Sequence, residues 1–331
     1  MICGDLVWAK EDAKTLFRGL ADIVRMDSPN RADFLAGLKP GGKYEGTVGI
    51  YRHNASADRI GVFDKEIVGA IARTGTIKWI AHNGAGYDQI DVLECKAHGI
   101  YVSNTPGAVD DATATTALYL LISTFRNFAQ SERTLRAGLW KTKHKAASAH
   151  DLENRTLGIL GLGGIGLRLA EYCHKAFGMK ILYHNRNKVQ DAPEWCEYFE
   201  AGRLNEMLGQ CDALSVHVPL RKETEGLVGE EMIRSLKKGA IIVNTARGKV
   251  IDEAAMIRAL EDGHLGSVGL DVYPNEPAVN PRLLEFPHIT LVPHMGTETQ
   301  DSQWKMEVRA LTNLRDYLVN GSGSDVIPEM K

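Results

Sequence analysis

Short apolar runs alternate with longer stretches whose apolar positions recur at helical spacing, and the alternation persists along most of the chain. In the first third, 47–51, 77–81 and 100–102 read as strands. A helix over 64–73 is capped by Asp64 and ended near Gly75, and one from Asp88 or Gln89 to His98 is closed by Gly99. An alanine- and leucine-rich helix then runs from about 110 to 137. Beyond it come strands at 156–160, 180–184, 197–199, 213–219, 240–244, 267–272 and 289–292. They are interleaved with helices at 164–177, 203–209, 230–236, 252–260 and 299–319. Repeated β-α-β order implies parallel sheets covered by helices on both faces, so the fold class is α/β with doubly wound sheets. A doubly wound domain should open on a strand. Only Met1 to Cys3 precede Gly4-Asp5, so that strand is either truncated or very short.

At 331 residues the chain is long for one core, and two domains are expected. A net charge of −3 offers no electrostatic reason to bind nucleic acid or an acidic membrane. No apolar run approaches the roughly 20 residues that span a bilayer. The opening residues lack a basic stretch followed by an apolar one, so no secretory signal is expected. The five cysteines are scattered without a CxxC pair, which fits reduced thiols in the cytoplasm. The eleven histidines show no metal-ligand spacing, and no metal is expected.

The stretch 156–170 carries the most specific chemistry. A strand passes through Gly161-x-Gly163-x-x-Gly166 into a helix that stops at Gly178. Gly161 permits the sharp turn, Gly163 leaves room for a pyrophosphate, and Gly166 lets the helix sit close on the strand. Free amides at the helix N-terminus attract the phosphates. The next strand ends in Asn185-Arg186-Asn187-Lys188, with no acid to hold the adenosine ribose. An arginine there pairs with a 2′-phosphate that an aspartate would repel. NADP(H) is therefore favoured, with NAD(H) left open. In the first third, Asn83-Gly84-Ala85-Gly86-Tyr87-Asp88 follows a strand, and Gly84 and Gly86 suit an anion-binding nest.

Three further residues fall just past strand ends: Arg247, Glu276 and His294. Parallel strands bring such ends to one rim. A guanidinium clamps a carboxylate, an imidazole exchanges a proton near neutral pH, and a glutamate fixes its tautomer and favours its charged form. With a nicotinamide site, that set moves a hydride to or from a carbon beside a carboxylate.

These residues resemble the D-isomer-specific 2-hydroxyacid dehydrogenase family from about Thr47 to Leu318. They do so through 84–88, the glycine turn, His217-Val218-Pro219-Leu220, Asn244-Thr245-Ala246-Arg247-Gly248, Asp271-Val272-Tyr273-Pro274-Asn275-Glu276-Pro277 and Pro293-His294-Met295-Gly296. The glyoxylate/hydroxypyruvate reductase and fungal D-mandelate dehydrogenase branches are the most similar, the latter through 82–89. The resemblance implies a Rossmann cofactor domain (109–301) inserted in a flavodoxin-like substrate domain (1–108 and 302–331), closure of one on the other, and a homodimer built on the long helix and the arm near Trp140. It implies that Arg247 binds the substrate carboxylate and carbonyl, that His294 is the acid/base with Glu276 as partner, and that amides around Ala85 and Gly86 hold the carboxylate. For the cofactor it implies Leu162, Gly163, Gly164 and Ile165 at the pyrophosphate, within the turn from Gly161 to Gly166. Arg186, beside Asn185, meets the adenosine phosphate. His217, Val218 and Pro219 line the adenine side, and Thr245, Ala246 and Asp271 meet the nicotinamide end. Arg247, His294 and Gly296 complete that set. The substrate implied is a small 2-keto or D-2-hydroxy acid of the glyoxylate, hydroxypyruvate or mandelate type. A dinucleotide-sensing scaffold, like the corepressors that resemble this family, is the alternative on the same fold.

Overall fold

A computed structural model describes residues 1–140 and 148–331. The polar arm anticipated between Gly138 and Leu152 lies, for 141–147, outside the described residues. The chain forms two compact units, Met1–Val109 with Thr299–Lys331, and Asp110–Glu298.

The first unit is built on four parallel strands, β1 (Ile2–Cys3), β2 (Ile50–His53), β3 (Trp79–Asn83) and β4 (Tyr101–Ser103), lying side by side in that order. A single parallel bridge joins Ile2 to Arg25 on the outer side of β1. With Arg25 counted as the second strand in chain order, the sequence across the sheet is 2-1-3-4-5, the flavodoxin-like arrangement. The opening strand is thus very short, and backbone bonds from Ile2 to Val24 and from Met26 to Ile2 tie it in. Side chains alternate between faces with the strand period of two. Ile50, Ile80 and Val102 pack with Phe34, Phe63 and Ile67 on one face. Tyr51, Trp79 and Ala81 pack with Leu311 and Leu314 of the helix Gln300–Asn320 on the other.

That helix joins the unit's two chain segments, and Glu307 is the polar fastening. Its carboxylate is buried and accepts the amides of Val7, Trp8 and Ala9 at 2.7–2.8 Å. These amides precede or begin the helix Lys10–Phe17, where intrahelical partners are lacking.

The second unit holds seven parallel strands among the described residues: β5 (Thr156–Leu160), β6 (Lys180–His184), β7 (Cys196–Phe199), β8 (Ala213–Val216), β9 (Ala240–Asn244), β10 (Leu265–Leu270) and β11 (Thr290–Leu291). Their order is β11-β10-β9-β8-β5-β6-β7. Read from β7 in chain order this is 3-2-1-4-5-6 with one strand added, the doubly wound dinucleotide-binding topology. Both faces are buried. Leu182, Leu214, Val216 and Ile242 point to one core, while Ile181, Tyr183, Ala213, Ile241 and Val243 point to the other. Burial on both sides explains the unbroken apolar runs in these strands.

Two helices differ from the pattern read in the sequence. The anticipated 110–137 helix is two helices, Asp110–Arg126 and Phe128–Arg136, because Asn127 turns left-handed at φ 53°. Asparagine tolerates that conformation, and its side chain bonds to Ser148. The helix expected from 88 or 89 begins only at Val92. Asp88 and Gln89 form a turn and Ile90 a parallel bridge with Phe63, tied by backbone bonds from Phe63 to Gln89 and from Asp91 to Phe63, and Asp91 caps the helix by accepting the Glu94 amide.

Among the described residues no helix is long and apolar enough to cross a membrane. All five cysteines are buried and free. Replacing Glu307 by alanine leaves three amides without their acceptor and is expected to cost about 2–4 kcal/mol in urea denaturation, while Glu307→Gln, which keeps one acceptor oxygen, costs less.

Candidate active site

All strands of the second unit run one way, so the segments that follow them share one edge of the sheet. At the centre of that edge β5 passes into the helix Gly164–Phe177. Gly161 has φ 100°, and a Cβ there would lie 3.0 Å from the His217 backbone. A Cβ on Gly166 would lie 2.4 Å from the Gly161 carbonyl oxygen, so the third glycine sets how closely helix and strand approach. Around Gly163 nothing lies within 4 Å of a built Cβ, which leaves that side open to a phosphate.

Next to the turn, Asn185 follows β6. Its side-chain oxygen accepts the Leu162 amide at 2.6 Å, so this amide is already spent inside the protein. A pyrophosphate contact at Leu162, as anticipated, would thus not run through this amide. Arg186 is exposed and makes no ion pair with any described residue. After β8, His217 bonds through Nε2 to Ser215 at 2.8 Å, and burial pushes its pKa down to about 4, so the ring is neutral. Val218 is half-buried and Pro219 exposed on the same stretch.

On the other side of the switch point, β9 leads into a turn locked by Asn244. Its oxygen accepts the Ala246 amide and its amide group donates to the Arg247 carbonyl, both at 2.9 Å. The Thr245 hydroxyl is buried without a partner among the described residues. Gly248 passes so near β10's continuation that a Cβ would sit 2.0 Å from the Tyr273 carbonyl carbon. That approach brings Arg247 alongside the Tyr273–Glu276 loop.

Asp271 organises the last segment. It is buried, and its two carboxylate oxygens accept the amides of Met295 and Gly296, the latter at 2.9 Å. Its carbonyl takes the His294 amide at 2.8 Å. Burial raises the Asp271 pKa, with the two amides and His294 opposing. His294 itself sits at φ 55°, a left-handed conformation that a non-glycine residue adopts only when its surroundings hold it there.

His294 Nδ1 lies 2.7 Å from one oxygen of Glu276, whose other oxygen accepts the Tyr273 amide at 2.8 Å. The Glu276 hydrogen bond raises the His294 pKa, with burial and Arg247 pulling the other way. Burial opposes the Glu276 charge, but the His294 bond, the Tyr273 amide and the field of Arg247 outweigh it and lower its pKa. The pair thus favours carboxylate and imidazolium, Nδ1 is committed to Glu276, and Nε2 is the nitrogen left to exchange a proton.

Ala85 and Gly86 belong to the first unit and follow β3 there. Every carbonyl of the Gly84–Gly86 turn is tied. Gly84 O accepts the Thr105 amide, Ala85 O accepts Asn104 Nδ2 at 2.8 Å, and Gly86 O lies 2.9 Å from His82 Nε2. The Gly84 amide donates to the Thr105 hydroxyl. The amides of Ala85 and Gly86 make no hydrogen bond to any described residue.

Sequence reasoning had not assigned Asn104, Thr105 and His82 as the ties of this turn, nor Asp271 as the anchor of the His294 loop. Asn104, Thr105 and Asp271 lie 19, 21 and 25 positions from what they hold, whereas His82 is only 4 from Gly86. An Asn-Thr pair after one strand and an aspartate at the end of another were the only local signals. Among the described residues, no group of three His, Cys, Asp or Glu side chains is arranged to hold a metal. Gly166→Ala is expected to lower stability by about 1–3 kcal/mol through the clash with Gly161. Gly163→Ala, facing open space, should unfold at the parental urea concentration.

The fit to a dinucleotide is matched by the chain's likeness to known proteins. Residues 118–296 match the family model described as D-isomer specific 2-hydroxyacid dehydrogenase, NAD binding domain. The 4-methyl-2-oxopentanoate reductase A of Aspergillus oryzae is 39% identical over 331 residues, 100% of this chain and 98% of that protein. A solved glyoxylate reductase from Paecilomyes thermophila superposes with a TM-score of 0.93 at 41% identity, covering 100% of this chain and 98% of its own. The holo form of Rhodotorula graminis D-mandelate dehydrogenase superposes at 0.86 with 29% identity, over 96% of this chain and 93% of its own. The chain belongs to the D-isomer specific 2-hydroxyacid dehydrogenase family.

Proposed function

We propose that this protein reduces 2-oxo acids to D-2-hydroxy acids with NADPH in preference to NADH, using Arg247, Glu276 and His294. The observation that carries the reading is the Glu276–His294 pair, held at 2.7 Å within the field of Arg247 on the sheet edge that bears the glycine turn. Bound at that turn, the nicotinamide dinucleotide supplies the hydride. Arg247 holds the substrate by its carboxylate and carbonyl oxygen, its guanidinium fork matching both acceptors. His294 delivers a proton from Nε2 to the carbonyl oxygen as charge develops there, and Glu276 keeps the ring charged and oriented beforehand. The free amides of Ala85 and Gly86 hold the substrate carboxylate. Thr245, with its unpartnered buried hydroxyl, Ala246 and the Asp271-anchored Gly296 serve the nicotinamide end, and His217, Val218 and Pro219 the adenine side.

The NADP(H) preference rests on Arg186, an exposed guanidinium with no ion-pair partner among the described residues, beside the neutral Asn185. The relatives' names give 4-methyl-2-oxopentanoate, glyoxylate, hydroxypyruvate and the aromatic hydroxy acid mandelate, so the first three and benzoylformate, the 2-oxo acid that corresponds to mandelate, form the assay panel. Five buried thiols fit a reducing compartment such as the cytoplasm. Phe128, Leu135, Leu139 and Trp140 are exposed on and after the helix Phe128–Arg136, which favours a second copy of the chain as their cover.

His294→Gln should cut kcat by about 10²–10⁴-fold while NADPH still binds, read by stopped-flow turnover and nucleotide fluorescence. Reduction needs the imidazolium, whose pKa is raised. Its kcat/KM should therefore hold on the acid side and fall as pH rises through that pKa, and oxidation of the hydroxy acid should rise over the same range. Glu276→Gln removes the group that raises the pKa, so the fall should move to lower pH; an unmoved profile argues against the pair. Arg186→Ala should raise KM for NADPH about 10-fold or more and leave that for NADH unchanged.

A further inference from the structure

The first unit contains a polar pair that the reaction as described does not use. Arg52, on β2, is fully buried. Its guanidinium donates to Asn54 Oδ1 at 2.7 Å and to Gln89 Oε1 at 2.6 Å, lies over the Phe63 ring at 5.2 Å, and approaches His82 Nδ1 at 3.3 Å. Its Nε has no partner among the described residues. Burial lowers the guanidinium pKa to about 10, with Cys3 and Asp88 opposing, so it stays charged at neutral pH. A buried cation among neutral partners is costly, and such groups persist where they organise something.

What it organises is His82. A guanidinium can only donate, so His82 Nδ1 must be the acceptor. The ring proton is then on Nε2, which donates to the Gly86 carbonyl at 2.9 Å. Arg52 thereby fixes one tautomer, and that tautomer is the one able to hold Gly86. The ring also lies against the turn itself: a Cβ on Gly84 would be 2.8 Å from His82 Nε2. Of the three carbonyls in the Gly84–Gly86 turn, two are held from the segment after β4 and the third by His82. A peptide plane fixed at its oxygen is fixed at the N–H on its far side. The Gly86 carbonyl shares its plane with the Tyr87 amide, and its position sets the dihedrals that aim the preceding Ala85 and Gly86 amides.

We infer that His82, its tautomer set by Arg52, is a positioning residue for 2-oxo acid binding, holding the Gly86 carbonyl so that the Ala85 and Gly86 amides converge on the substrate carboxylate. This rests on the proposed role of those two amides. The contribution is to binding of the acid rather than to hydride or proton transfer, so it belongs in KM and not in kcat.

The test compares the full-length parent with His82→Leu, His82→Gln and Gly84→Ala, using NADPH and the 2-oxo acid the parent reduces best. Urea midpoint and NADPH affinity are measured alongside. His82→Leu should raise KM about tenfold or more, the size of one lost hydrogen bond to an aimed carbonyl, with kcat and NADPH affinity within about twofold. Glutamine places an amide N–H near the position of Nε2, so His82→Gln should recover most of the loss. Gly84→Ala, which pushes the ring off Gly86, should raise KM with His82 intact, and it carries the test if His82→Leu does not fold. An unchanged KM in folded His82→Leu or Gly84→Ala overturns the inference, as does a His82→Gln defect as large as that of leucine, which would mark a packing role. A parent silent with every 2-oxo acid overturns both this and the proposed function; an active parent with indifferent variants overturns this alone.

Discussion

Among the described residues, the strands of each sheet all pair in parallel, and this constraint decides where chemistry can occur. A parallel strand must be followed by a crossover, so the segments leaving the carboxyl ends gather on one edge. In the second unit that edge carries the glycine turn after β5, Asn185 and Arg186 after β6, His217 after β8, Arg247 after β9, Asp271 and Glu276 after β10, and His294 after β11. Residues from six places in the chain meet without any long-range instruction beyond strand order. Side chains buried on both faces of the sheet hold that order fixed, so a displaced strand would expose apolar surface on two sides at once.

The edge is then trimmed by hydrogen bonds that use up some polar groups and spare others. Asn185 takes the Leu162 amide, Asn244 locks both sides of the Thr245–Ala246 turn, and Asp271 takes two amides of the His294 loop. The first unit does the same to its Gly84–Gly86 turn, where carbonyls are tied and two amides are not. Groups this accounting leaves over include the Thr245 hydroxyl, the Ala85 and Gly86 amides, the Arg186 guanidinium and His294 Nε2, and these are the groups the proposed function uses. Preorganisation of this kind places donors before the substrate arrives and so lowers the cost of binding it.

Much of the fold was legible because its signals are local. The spacing 161, 163, 166 encodes a turn, an opening and a close contact, each decided within six residues, and the structure gives each glycine a distinct environment. Apolar runs of five buried on both faces read as parallel strands, and the positions that follow them fell to one edge. The parts that were not legible depend on partners distant in sequence. The break at Asn127 is a single left-handed residue inside good helix-forming sequence. The short β1 has meaning only beside β2 and Arg25. Arg52 carries no local sign that Asn54, His82 and Gln89 enclose it, because His82 and Gln89 lie 30 and 37 positions away. The oxygen of Asn185 was invisible as a brace because the amide it holds lies 23 positions earlier.

The central claim is that this edge passes a hydride to the carbon next to a carboxylate while His294 protonates the oxygen. Its most direct measurement is isotopic: incubation with benzoylformate or 4-methyl-2-oxopentanoate and NADPH carrying deuterium at the transferable position of C4, followed by mass spectrometry and chiral separation of the acid formed. The account expects one deuterium at C2 of a D-configured 2-hydroxy acid. Label lost to water, an L-configured product, or NADPH left unoxidised with every 2-oxo acid would contradict it.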